Sequence, residues 1–199
     1  MVRATIAGVQ TVALQTLRSG APRRAWSRAS EPALVKAAQR GSSEAFAELF
    51  RRHWPRAHRA AWLVVHDATA AEDVAQEAFL AAVRALDRFD RRRPFGPWLH
   101  RIVVNRAIDY ARAREQRREV ADAGIEAAAV QRADAPGEDV LAALAALPPD
   151  QRAVIVMRHL LGFTPGEIAS ALELPRGTVN SRLRRGLDRL RDRVGEELR

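Results

Sequence analysis

The stretch TPGEIASALELPRGTVNSRLRRGLDRLRDRV, residues 164–194, decides how this chain is read. Thr164 and Glu167 have the S/T-x-x-E spacing of a capping box. Pro165 falls at the first helical position, where its missing N–H costs nothing. The pattern predicts a short helix from Pro165 to about Leu172, a turn through Glu173-Leu174-Pro175, and a longer helix from Arg176 to about Val194. In the second helix Val179, Leu183, Leu187, Leu190 and Val194 form one apolar stripe that packs inward. Gly177, Thr178, Ser181, Arg184 and Arg185 point away from that stripe, flanked by Asn180 and Arg182. Small, hydroxyl-bearing and arginine side chains on a second helix suit the major groove. Arginine pairs bidentately with guanine, asparagine with adenine, and serine or threonine with base edges or phosphate. Asp188 and Asp192 share the outer face and would repel phosphate, so the contact ends before Asp188. A charge run more often marks only a solvated, salt-bridged helix. Here the preceding helix and turn also fit helix-turn-helix spacing. Glu173 stands where such turns usually hold glycine, and a left-handed backbone there would cost about 1 kcal/mol.

Upstream, strand signals are nearly absent while helix signals recur. Thr69 with Glu72 repeats the capping-box spacing, and Gly41 and Gly162 sit where helices plausibly end. The expected fold class is therefore all-α. Charge divides the chain more sharply than hydropathy does. Residues 67–90 hold six acids against Arg84 and Arg88; residues 91–118 hold nine arginines against Asp109 and Glu115. Residues 119–139 return to six acids against Arg132 and carry Gly124 and Pro136-Gly137, the marks of a linker. Residues 176–193 swing back to seven arginines against two aspartates. Two small helical domains, 31–118 and 138–199, joined by a flexible acidic linker at 119–137, account for this alternation. Such a linker would avoid DNA and could fold back over the basic surfaces. Residues 1–30, with five arginines and no acid, read as a basic disordered tail or an over-extended start of translation.

Composition narrows the function. Of 33 basic residues in 199, all but Lys36 are arginine, and the net charge is +9, a balance that favours a nucleic-acid partner. Cysteine is absent, so disulfides, thiolate metal sites and a cysteine nucleophile are excluded, and a cytoplasmic setting fits. No apolar run approaches the roughly 20 residues that cross a bilayer. His53, His58, His66, His100 and His159 have no metal-ligand spacing, and neither a glycine-rich phosphate loop nor a hydrolase nucleophile motif occurs. No catalytic site, cofactor or metal is expected.

Two further segments carry chemistry. Within 70–89, Val74, Ala78, Val83, Leu86 and Phe89 can supply a buried stripe, while Asp73, Gln76 and Glu77 share an exposed first turn. Acids near a helix N-terminus are explained by the dipole alone. Next comes the stiff basic loop Asp90-Arg91-Arg92-Arg93-Pro94-Phe95-Gly96-Pro97, after which Trp98 opens a helix to about Arg118. Arg101, Asn105, Asp109 and Arg112 form one polar stripe on that otherwise apolar helix. Beside a basic loop, such a stripe could guide a single strand and receive an extruded base. Trp54, Trp62 and Trp98 read as packing residues.

Leu147-Pro148-Pro149-Asp150-Gln151-Arg152, Glu167-Ile168-Ala169 and Gly177-Thr178-Val179-Asn180-Ser181-Arg182-Leu183 are together similar to region four of extracytoplasmic-function (ECF) sigma factors. Ala71-Glu72-Asp73-Val74-Ala75-Gln76-Glu77-Ala78-Phe79 closely resembles region two of sigma factors. The resemblance implies an alternative sigma factor that binds bacterial core RNA polymerase and directs it to promoters. Asp73, Gln76 and Glu77 would contact the polymerase clamp. Arg91, Arg92, Arg93, Arg101, Asn105 and Arg112 would read and melt the minus-ten element. Thr178, Asn180, Ser181, Arg182, Arg184 and Arg185 would read the minus-thirty-five element; position 180, often basic in the family, is asparagine here. An anti-sigma partner is implied as well. The competing reading is a regulator with a helical sensor domain, which would need a ligand cavity or a phosphoacceptor aspartate in place of the acidic helix and basic segment.

Overall fold

The computed structural model describes residues 26–121 and 138–197. The tail before residue 26 and the linker from residue 122, with its expected masking role, lie outside the described residues. Among the described residues every regular element is helical. Helices α1 (Glu31–Gln39), α2 (Ser43–Val65), α3 (Ala68–Ala85) and α4 (Phe95–Ala121) form the first half, with a 3₁₀ turn at Leu86–Arg88. The second half holds α5 (Glu138–Ala145), α6 (Pro149–Ile155) running into a π turn at Val156–Leu160, α7 (Pro165–Leu172) and α8 (Arg176–Glu197). Gly41 (φ 92°) and Gly162 (φ 79°) turn the chain after α1 and after the π turn, as expected of them.

The capping box expected at Thr69 and Glu72 does not form. His66 ends α2 in the left-handed region (φ 52°), which throws Asp67 into extended backbone, and the Asp67 carboxylate accepts the Ala70 N–H at 3.0 Å. An aspartate already in cap geometry outcompetes a threonine two residues later. The earlier start also moves Asp73, Gln76 and Glu77 out of the first turn of α3, beyond the reach of its dipole. Helix α4 likewise starts before Trp98. Pro97 is tolerated in its first turn, where N–H groups have no intrahelical partner anyway, and Glu31 Oε1 accepts the Phe95 N–H at 3.0 Å. The basic loop shortens accordingly to Asp90–Pro94. Residues 26–30, read from sequence as tail, are held by Arg52, which donates to the carbonyls of Trp26, Ser27 and Ala29 and is steadied by the buried Glu48 carboxylate at 2.7 Å.

The first half packs Leu49, Phe50 and Val64 of α2 against Val74 and Phe79 of α3 and Leu99, Val103 and Val104 of α4. Trp54 stacks on Phe50 at 4.8 Å and Trp98 lies 4.6 Å from Phe89; both, with Trp62, are half-buried packing residues, as expected. In the second half Val154, Met157, Ile168 and Val179 are buried. Gly186 lets α8 lie close on α6, since a Cβ there would stand 2.7 Å from the Ile155 methyl.

The two halves share one apolar cluster. Arg152 of α6 is buried within it, donates to Leu147 O at 3.1 Å, and has its pKa pushed by burial down to about 10. Burial, and then the Arg152 charge, push His66 down to about 4. Burial, followed by His53 and Arg56, does the same to His100.

Asp67→Ala should lower stability in urea by about 1 kcal/mol, whereas Thr69→Ala should change it by less than about 0.5 kcal/mol. For both imidazoles the folded chain takes up a proton less readily than the unfolded chain. Stability should therefore rise between pH 4 and 6.5 and be lost as pH falls through that window. Thermal melts across this range should show Tm falling with pH, and the double variant His66→Asn, His100→Leu should flatten the slope.

Candidate nucleic-acid interface

Helix α4 commits Leu99, Val103, Val104, Ala107 and Ile108 to the core, which leaves Arg101, Asn105, Asp109 and Arg112 along the opposite flank. That flank faces the second half of the chain. Arg101 Nη2 donates to Glu173 Oε1 at 2.9 Å, and Asn105 Nδ2 donates to Ala171 O at 3.3 Å. Arg112 donates to Asp150 Oδ1 from Nη2 at 2.6 Å and from Nε at 3.0 Å. The other Asp150 oxygen takes Arg182 Nη2 of α8 at 2.9 Å. One carboxylate thus joins a residue expected at the minus-ten element to one expected at the minus-thirty-five element. Between α4 and the helix-turn-helix lies a cleft of about 320 Å³, with Ile108, Leu172 and Leu174 as its apolar lining.

The helix-turn-helix is built as its residues predict. The Thr164 hydroxyl accepts the Glu167 N–H at 3.2 Å while Glu167 Oε2 accepts the Thr164 N–H at 2.7 Å, completing the capping box. These bonds to the Thr164 backbone and side chain hold the fully exposed Glu167 carboxyl below its ordinary range. Glu173 does take the left-handed conformation (φ 54°), and Leu174 N–H closes on Ala169 O at 2.9 Å. On α8, Asn180, Arg184 and Arg185 are exposed. Thr178, Ser181 and Arg182 are half-buried; the Ser181 hydroxyl donates to Thr178 O at 3.0 Å. Asp188 takes Arg191 at 2.8 Å further along the helix.

On α3, Asp73 and Glu77 are exposed and Gln76 is half-buried, donating to Glu72 Oε1 at 3.0 Å. Glu77 lies 3.6 Å from Arg106 of α4. Arg91, Arg92 and Arg93 are all exposed in the loop, where Asp90 Oδ1 accepts the Arg92 N–H at 3.0 Å. His53 and His100 come within 6.2 Å, ring to ring, while His53 Nε2 and Glu31 Oε2 are 2.9 Å apart. Among the described residues no group of three metal-binding side chains forms.

The carboxylates of Asp150 and Glu173, and the Arg56 guanidinium that reaches Leu160 O, belong to this interface without a sequence signal. In the sequence Asp150 enters only as part of the region-four motif and Glu173 as an awkward turn residue, neither marked as a partner for arginine. Only the packing of two segments far apart in sequence sets them against arginines.

A helix-turn-helix half beside a half that presents a polar helix flank, a basic loop and an acidic helix defines a two-part helical DNA-binding transcription factor. Comparison with known proteins specifies it. Residues 49–118 match the model of Sigma-70 region 2 and residues 137–190 that of Sigma-70, region 4. The chain is 36% identical over 177 residues to the ECF RNA polymerase sigma factor SigM of Mycobacterium tuberculosis, covering 83% of this chain and 85% of the relative. Its fold is similar to that of CnrH in complex with the cytosolic domain of CnrY (TM-score 0.62, 31% identity, 83% of this chain and 97% of the other). It is similar too to the sigma factor RpoE in complex with the anti-sigma factor NepR from Bartonella quintana (TM-score 0.61, 27% identity, 75% and 96%). The chain belongs to the ECF branch of the sigma-70 family. It is an alternative sigma factor, a transcription initiation factor that works with core RNA polymerase at promoter DNA. Among the described residues no helix is long and apolar enough to cross a membrane.

Proposed function

We propose that the two halves divide promoter recognition between them, residues 31–118 acting as region two and 138–199 as region four. In this reading Asp73, Gln76 and Glu77 dock on the polymerase clamp. Arg91, Arg92 and Arg93 guide the separating strands, while Arg101, Asn105 and Arg112 hold the minus-ten strand. Asn180, Arg184 and Arg185 are the principal contacts to the minus-thirty-five duplex, with Thr178, Ser181 and Arg182 supporting them. The observation that carries the reading is the exposure of Asp73 and Glu77 well inside α3, where the helix dipole no longer accounts for acids. An acidic patch away from the helix start, on a chain of net charge +9, favours a basic protein partner over DNA.

The work is done by binding rather than catalysis. The chain forms holoenzyme, reads two elements, lets the melted strand settle on α4, and departs. A cytoplasmic setting goes with this role. The solved relative RpoE is bound to an anti-sigma factor, and an anti-sigma partner belongs to the reading of this chain as well.

Charge reversal at Asp73 and Glu77 to arginine should weaken binding to core RNA polymerase by at least about tenfold, with helicity and melting unchanged. Unchanged affinity would remove the clamp assignment. Arg185→Ala should reduce binding to a duplex carrying the minus-thirty-five element by about 1–3 kcal/mol if the contact is to a base. An equal loss on every sequence would make it a phosphate contact.

A further inference from the structure

We propose that helix α1 is a splint for the arginine loop. Glu31 and Gln39, at the two ends of α1, grip the two ends of the loop, so that Arg91, Arg92 and Arg93 meet the separating DNA strands in one fixed conformation. The proposal rests on the assignment of those arginines to strand separation made above, and it adds two positioning residues to it.

Glu31, Leu34, Val35, Ala38 and Gln39 have the i, i+3, i+4, i+7, i+8 spacing of one helix face. Leu34 and Val35 are buried in the core, which fixes the rotation of α1 about its axis. The polar members of the stripe stand at its ends, about 12 Å apart along the helix. Gln39 Nε2 donates to Leu86 O and to Phe89 O, each at 2.9 Å. Glu31 Oε1 accepts the Phe95 N–H at 3.0 Å, while Oε2 lies 2.9 Å from His53 Nε2 of α2. Gly96 brings the first turn of α4 against this clasp, since a Cβ there would stand 3.1 Å from His53 Cε1. One nine-residue helix therefore holds the chain on both sides of Asp90–Pro94.

Each bond taken alone is a cap. The Phe89 carbonyl follows the 3₁₀ turn and the Phe95 N–H opens α4, so neither lies within a helical ladder. The build of the segment between them points further. Phe89 and Phe95 are buried with their rings 5.8 Å apart, edge to face, and Trp98 lies 4.6 and 5.4 Å from them. The loop thus closes over an aromatic base. Inside it Asp90 Oδ1 accepts the Arg92 N–H and Asp90 O accepts the Arg93 N–H, both at 3.0 Å, and the Pro94 ring fixes one backbone angle.

Three neighbouring guanidiniums, all exposed, repel one another and would spread an untethered loop. Fixing both ends offsets that repulsion before DNA arrives. A loop already ordered does not lose its freedom at the moment of binding, and this is the gain that preorganisation brings.

The absence of native cysteine lets the loop be labelled directly, and a nitroxide on Arg92→Cys reports its mobility in the full chain. Gln39→Glu keeps the side-chain shape but removes both donors, and Glu31→Ala removes the acceptor. Each should sharpen the nitroxide spectrum, with circular dichroism showing intact helices. Glu31→Gln, which keeps an oxygen for the Phe95 N–H, should retain the mobility of the unsubstituted loop. The unlabelled variants are then assembled with core RNA polymerase on a duplex promoter selected from a random-sequence pool by the wild-type holoenzyme. Gln39→Glu and Glu31→Ala should open it about fivefold to tenfold more slowly, yet bind the same DNA with a pre-formed bubble over the minus-ten element within about twofold of wild type. Where Glu31→Ala does not fold, the isosteric Gln39→Glu decides alone. An unchanged nitroxide spectrum overturns the splint. A mobile loop with normal opening overturns it too, because loop order is then not used. So does an equal loss on duplex and bubble, which marks a general structural defect. The triple variant Arg91→Ala, Arg92→Ala, Arg93→Ala separates this failure from that of the underlying assignment. Normal opening by the triple variant removes the arginines from strand separation, and the purpose of the splint with them. Slow opening by the triple variant, but not by Gln39→Glu or Glu31→Ala, removes the splint alone.

Discussion

Helix α4 buries Leu99, Val103, Val104, Ala107 and Ile108 against α2 and α3, and at 3.6 residues per turn its remaining side chains have only the opposite flank to occupy. Much else follows from this division. The apolar face fixes the rotation of the helix about its axis, and that rotation sets Arg101, Asn105 and Arg112 in line. Glu31 secures the N-terminal end by accepting the Phe95 N–H, and His53 steadies the same carboxylate. The loop Asp90–Pro94 runs directly into this anchored end, which fixes where the basic loop meets the polar flank.

The contact between the halves combines strong and weak elements. Apolar packing runs across it without a break, yet it includes a buried arginine and a neutral histidine that both lose hydration there. Replacing such groups by apolar side chains would make a more stable joint. Glu173 adds to the contact at a cost: a left-handed turn at a non-glycine residue costs about 1 kcal/mol, and the side chain that glycine would lack is the one that reaches Arg101.

Much of this was legible in the sequence. The helix-turn-helix, its capping box, its turn and its apolar stripe all follow from local chemistry, because Thr164, Pro165, Glu167 and Val179 act within a few residues of themselves. The polar flank of α4 was visible for the same reason. Helix starts were less legible where two caps compete. Asp67 wins over Thr69 only because His66 first bends the backbone into the required conformation, and nothing in the identity of His66 announces that bend. The partners of the reading residues were not legible at all. Asp150 lies 38 residues from Arg112 and Glu173 lies 72 from Arg101, and no periodicity links positions so far apart.

The shared apolar cluster has a consequence for how the chain folds. Leu34 of the first helix and Val179 of the last belong to one connected set of buried side chains. Neither half can unfold alone without exposing apolar surface that the other half was covering. The stability of each half is then coupled to the other, although the sequence is punctuated as two. Each half by itself holds a smaller core than the whole, and small cores are marginal in water.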